Sequence, residues 1–170
     1  MARHAPRLLP AVILLTVAAG AAAVAPPRRK SGLWEVTTFV PGSPPSPAAQ
    51  LCIDETTDDL AKQLGQGAVA CSKQEIRADG AAFVVDSVCK LGESTATTTS
   101  RVTGSFDTRY QVDIATAYDP PLMGMREGKA KVNAKRTGPC GPGQRAGDMT
   151  LPNGMTINIF DAPPGAPKRP

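Results

Sequence analysis

Apolar and polar positions alternate with a period of two along much of the chain between residues 31 and 138, the pattern of strands that bury one face. The cleanest run is Phe106 to Tyr118. Phe106, Thr108, Tyr110, Val112, Ile114, Thr116 and Tyr118 fall on one side; Asp107, Arg109, Gln111 and Asp113, then Ala115 and Ala117, fall on the other. Ser31 to Val40 divides likewise into Trp34, Val36, Thr38 and Val40 against Leu33, Glu35, Thr37 and Phe39. Beyond Met125, inward Gly128, Ala130, Val132 and Ala134 alternate with outward Glu127, Lys129, Lys131, Asn133 and Lys135. Such small inward residues let a neighbour approach closely. Ala48–Ile53 and the threonine-rich Glu93–Thr103 read as further strands. Gly104-Ser105 supplies a turn, and Asp119-Pro120-Pro121 is expected to end the long alternation.

Cys71 to Cys89 reads as a hairpin about Asp79-Gly80. A three-residue loop, Asp79-Gly80-Ala81, places Ala78 opposite Ala82 and Cys71 opposite Cys89 in a close, non-hydrogen-bonded pair suited to a disulfide. A two-residue loop would offset the cysteines by one position. Asp54 to Gly67 carries helix signals: Thr56 as N-cap, acidic Asp58 and Asp59 in the first turn, and a stop at Gly65. Only Leu60 and Leu64 give it an apolar stripe, so it is expected on the surface. The fold expected is all-β: an antiparallel meander forming a curved sheet or partial barrel of about seven strands with one short surface helix.

The 170 residues divide further by composition. Residues 1–23 have a basic start at Arg3 and Arg7, an apolar run from Leu8 to Val17 and then small residues, the build of a secretory signal peptide cut near Ala22 or Ala23. The apolar run is too short for a membrane span, so none is expected after cleavage. Residues 24–30 read as a flexible lead-in, 31–140 as a disulfide-stapled β domain, and 141–170 as a turn-rich tail. In that tail Met149–Phe160 reads as a small hairpin about Asn153-Gly154, with Pro152 demoting its first arm to an edge, and Ala162–Pro170 is expected to be disordered. All four cysteines, Cys52, Cys71, Cys89 and Cys140, lie beyond the signal, which in an oxidising compartment reads as a disulfide framework. Sequence leaves three connectivities open; the hairpin register favours Cys71–Cys89, leaving Cys52–Cys140. The reading is of a periplasmic monomer.

The sole histidine, His4, lies in the signal. The exported part therefore lacks an imidazole for serine- or cysteine-type nucleophilic catalysis, and bridged cysteines leave no thiolate. Glu35, Glu75, Asp86 and Asp113 remain as carboxylates with no motif to single them out, so no catalytic residue, no metal site and no cofactor is expected and the protein is read as not an enzyme. Met123-Gly124-Met125 with Met149 and Met155 has the softness for Cu(I), but methionines equally fill apolar gaps. Two functions are open. In one, an apolar concave face lined by Trp34, Phe106, Tyr110, Val112 and Ile114 holds a lipid-like small molecule. In the other, an envelope interaction protein works through the C-terminal tail and a basic strand face of Arg126, Lys129, Lys131, Lys135 and Arg136, meeting an anionic envelope component. Without signal charges the chain holds 17 Lys and Arg against 15 Asp and Glu, and no aromatic platform or phosphate loop points to nucleic acid.

Gly32-Leu33-Trp34-Glu35-Val36-Thr37, Gln50-Leu51-Cys52-Ile53, the Cys71–Cys89 hairpin, Thr103-Gly104-Ser105-Phe106-Asp107 and Gly138-Pro139-Cys140 occur in that order. With these landmarks the chain resembles the exported bacterial domain-of-unknown-function family 3617 over Ser31 to Cys140. The resemblance implies a small exported, periplasmic protein of Gram-negative bacteria, and carries over no catalytic residue.

Overall fold

The computed structural model describes residues 28–56, 58 and 71–161. These form nine strands: β1 Gly32–Phe39, β2 Ala49–Ile53, β3 Cys71–Asp79, β4 Ala82–Leu91, β5 Ser94–Ser105, β6 Arg109–Leu122, β7 Met125–Gly138, β8 Asp148–Thr150 and β9 Thr156–Asn158. They lie in one antiparallel sheet in the order β3-β4-β5-β6-β7-β1-β2-β8-β9, open between its edges β3 and β9. Strands β3 to β7 are the expected meander. β1 then inserts between β7 and β2, which the chain order alone did not foretell.

The count is nine rather than seven because the hairpin after Cys140 joins the sheet through Gln50↔Thr150 and Leu51↔Met149. Pro152 lies in its turn, outside both arms, so β8 is internal and β9 is the edge. The described residues contain no helix, and Glu55-Thr56 is a turn closed by Asp54 Oδ1 accepting from the Thr56 amide; the rest of the expected Asp54–Gly67 helix, apart from Asp58, lies outside the described residues. The expected signal peptide, residues 1–23, and the expected disordered end, residues 162–170, lie outside them too. No helix of the described residues is long and apolar enough to cross a membrane.

The hairpin at Gly80 corrects the expected register. Asp79 pairs with Ala82, so the loop is the two-residue Gly80-Ala81, with Gly80 at φ +62°. That would misalign the cysteines by one residue, but a bulge between Cys71 and Lys73 restores the Cys71↔Cys89 pairing, and the disulfide forms. The second bridge is Cys52–Cys140. Two further expectations shift. The β5–β6 turn is Phe106–Thr108 rather than Gly104-Ser105, because β5 continues to Ser105. A side chain at Gly104 would strike the Arg109 carbonyl, and the residue's φ is +112°, so the close crossing there requires glycine. β6 also passes through Asp119-Pro120, a cis bond, with a register shift after Ala117.

The core collects the inward set of the central strands: Trp34, Leu51, Ile53, Val102, Tyr110, Val112 and Ala134. Trp34 is fully buried, and its indole N–H donates to the Lys30 carbonyl at 2.9 Å. Ala134 stands opposite both Tyr110 and Val36, and the Trp34 and Tyr110 rings meet at 5.5 Å. The small residues of β7 thus make room for aromatic neighbours; at Gly128 the neighbour is the Tyr118 ring. An indole burying roughly 200 Å² at about 25 cal/mol/Å² contributes up to about 5 kcal/mol.

The end of the lead-in packs into the core. Arg29 is 3% exposed; its amide and guanidinium bond Asp58, and Nη1 donates to the Tyr110 hydroxyl at 3.0 Å. Lys30 N donates to Phe106 O. Burial opposes the Arg29 charge, but its bond to Asp58 and the influence of Tyr110 outweigh it and hold the pKa above the ordinary value.

Candidate functional site

The five residues expected to line a ligand cavity do come together, but as packed structure. Trp34, Tyr110 and Val112 are buried members of the core, and Phe106 and Ile114 pack against it. Phe106 stacks on Tyr110 with centroids 5.4 Å apart and 12° between planes, and Phe83 meets its edge at 6.1 Å. Rings at these separations fill the space in which a ligand was expected.

Beyond the rings, a hollow of about 600 Å³ lies on the same face towards the β6–β7 tip, bounded by Ile114, Thr116, Tyr118, Gly128 and Ala130. More open space lies on the opposite face, where the alternation puts Thr37 and Phe39 of β1, Thr99, Arg101 and Thr103 of β5, Arg109, Gln111, Asp113 and Ala115 of β6, and Lys129, Lys131, Asn133 and Lys135 of β7. Two hollows mark it. The first, about 710 Å³, is bounded by Phe39, the loop Val40-Pro41-Gly42-Ser43, Thr99, Arg101, Asp113, Ile114, Ala115 and residues 129–131. The second, about 460 Å³, is bounded by Glu35, Thr37, Thr103, Gly104, residues 109–111 and residues 133–135. Both fall within the usual range of small-molecule sites. They occupy successive rungs of one ladder: Ala115↔Lys129 and Asp113↔Lys131 in the first, Gln111↔Asn133 and Arg109↔Lys135 in the second. From Ala115 to Arg109 the trough runs about 20 Å at the strand rise. The signal in the sequence was Ala115 and Ala117, where the polar side of β6 turns to short apolar residues, together with the proline-rich loop after Val40.

The charges differ between the two ends. Near the first hollow Arg101 bonds Asp79, and Lys131 Nζ lies 3.5 Å from Asp113. At the second, Arg109 faces Lys135 directly across β6–β7, and Glu35 faces Lys135 across β1–β7. Among the described residues no carboxylate lies within 4.0 Å of the Arg109, Lys129 or Lys135 cation.

Of the five basic residues read as one strand face, Lys129, Lys131 and Lys135 share the trough, but Arg126 and Arg136 have the other parity and belong to the opposite face. Arg136 is committed to structure: its Nε donates to Ser31 O at 2.8 Å beside the close approach of Gly32 to Gly138. The candidate carboxylates are dispersed. Glu75 pairs with Lys73, Asp86 with Arg77 and Thr99, and Asp113 with Lys131 and Gln111. The carboxyls held away from their ordinary pKa, Asp54, Asp79 and Asp148, all go down: Thr56 donates to the first, Arg101 to the second, and Arg145 N and Asn158 to the third. A general acid requires the opposite shift. The methionines are scattered: Met123 and Met125 sit at the β6–β7 tip, Met149 packs on the core, and Met155 is exposed. Among the described residues no three His, Cys, Asp or Glu cluster as a metal site.

Comparison with known proteins gives one match. The model of the family described as "Protein of unknown function (DUF3617)" covers residues 29–140, and the chain belongs to that family. The match begins at Arg29, the buried cation of the core, and ends at Cys140. No curated protein and no solved structure matches the chain.

Proposed function

We propose that this family member is an exported, non-catalytic binding module that holds an apolar, lipid-like molecule, and that the ligand lies in the trough rather than in the aromatic core. The observation that carries this is the first hollow: about 710 Å³ walled by Phe39, Val40, Pro41 and Ala115, with its two nearest ion pairs already closed internally. Export is supported by the signal-like residues 1–23 and by two disulfides, which persist in oxidising compartments. The absence of any histidine after His4 and the downward-shifted carboxyls support a non-catalytic role. The test is titration of the purified protein with N-phenyl-1-naphthylamine, an uncharged fluorescent apolar probe. Saturable one-to-one binding, weakened about tenfold by Ala115→Phe, is expected, since filling a hollow removes its contacts. No binding, or binding indifferent to Ala115→Phe, overturns the assignment.

A second reading, docking to the cell envelope, is favoured by one feature. The β6–β7 hairpin ends in Leu122-Met123-Gly124-Met125, with Met123 91% exposed at φ +50°. Under that reading Met123→Ser combined with Met125→Ser releases the protein from the envelope fraction; unchanged fractionation rejects it.

A further inference from the structure

We infer that the polar end of the trough is an oxyanion subsite, so that the ligand is an amphiphile with an anionic phosphate or carboxylate head. This rests on the apolar-ligand reading for the tail, but the head group has its own evidence. Arg109 and Lys135 are directly opposed across two strands, an arrangement that is unfavourable when nothing lies between the charges. Among the described residues Glu35, opposite Lys135, is the one carboxylate lining this hollow, so it offsets one cation and leaves one positive charge over. Thr37, Thr103 and Asn133 add hydroxyl and amide donors around the same 460 Å³, whereas the Gln111 amide already donates to Asp113. Arginine is the side chain suited to paired hydrogen bonds with phosphate or carboxylate. At the other end Arg101 and Lys131 are neutralised by Asp79 and Asp113, and Lys129 stands singly beside Ala115, with no second cation opposite it. The ends therefore differ in their walls, apolar Phe39, Val40, Pro41 and Ala115 at one and the opposed cations at the other: the tail lies under the Val40–Ser43 loop, and the head lies at Arg109 and Lys135.

The experiment displaces N-phenyl-1-naphthylamine with dodecyl phosphate, dodecanol and dodecyltrimethylammonium, which share a tail and differ in head charge. Dodecyl phosphate is expected to act at about tenfold lower concentration than dodecanol, as charge-assisted hydrogen bonds allow. The cationic analogue is expected to be weakest. Arg109→Gln with Lys135→Gln should erase the difference while leaving the uncharged probe bound, and Glu35→Gln should widen it. Equal displacement by all three, or discrimination that survives the double substitution, overturns the subsite. If the uncharged probe does not bind at all, the tail reading fails by itself. Titration with inorganic phosphate, followed by amide shifts in a nitrogen-15 spectrum, then decides the head. Shifts confined to 109–111 and 133–135 uphold an oxyanion site for free phosphate, and an unperturbed spectrum removes it.

Discussion

The two faces of β6 and β7 are built from alternate residues of the same strands, yet around Trp34, Phe106 and Tyr110 one is filled by rings, whereas the other is hollow along its length. On the core face Tyr110, Val112 and Ile114 meet Ala134, Val132 and Ala130, and rings from β1 and from the β5–β6 turn close over them. On the trough face the strands present Ala115, Thr99 and Thr103 between long charged residues, and among the described residues the roof is the Val40–Ser43 loop. Bulky side chains of unequal length interlock; short ones beside long, paired ones leave space between them. Hydrophobicity marks the face that drives folding, whereas space marks the face offered to a ligand.

The largest effects are expected where the ring-filled face is opened. Trp34→Ala should cost about 3–5 kcal/mol in a denaturant titration, as truncation of a buried aromatic does. A loss below about 1 kcal/mol would place this indole outside the core and break the distinction between the faces. Asp58→Ala should cost about 3 kcal/mol, because it strands the Arg29 charge in the interior. Arg29→Met combined with Asp58→Leu removes both charges and should cost less than Asp58→Ala alone. A double loss equal to the sum of the singles would mean that the pair is solvated.

The core face was legible in the sequence because a period of two needs no tertiary knowledge: Trp34, Tyr110 and Val112 were grouped correctly by alternation. What alternation lacks is depth. It could not tell a filled aromatic cluster from an open one, since ring stacking between Phe106 and Tyr110 depends on a turn placed two residues later than expected. Arg29 read as part of a flexible lead-in because its partners, Asp58 and Tyr110, are 29 and 81 residues away. The trough was missed for a related reason. Its members come from four strands whose neighbourhood depends on β1 inserting beside β7, a pairing with no local signal. The cysteine pairing was read correctly although the loop length was not, because a bulge compensated for the shorter turn.

Smaller effects should follow on the trough face. Ala115→Phe should change unfolding free energy by no more than about 1 kcal/mol, since it grows into open space rather than into packed neighbours. A core-sized loss would show that the first hollow is filled in solution. The smallest expected effect concerns Asp79, at the rim. Its carboxyl is held below the usual range, first by the hydrogen bond from Arg101, then by that guanidinium's charge and, more weakly, by Arg77. A depressed folded pKa contributes stability above the unfolded value, near 3.9, and loses it as pH falls through the folded value. The stability gap between the parent and Asp79→Asn should therefore be constant from pH 7 to about 5 and close below about pH 4. A gap that stays open in acid would mean that Arg101 is not tied to Asp79. The first hollow would then hold a free guanidinium beside Lys129, and the proposed division of the trough into an apolar tail end and a head end with paired cations would collapse.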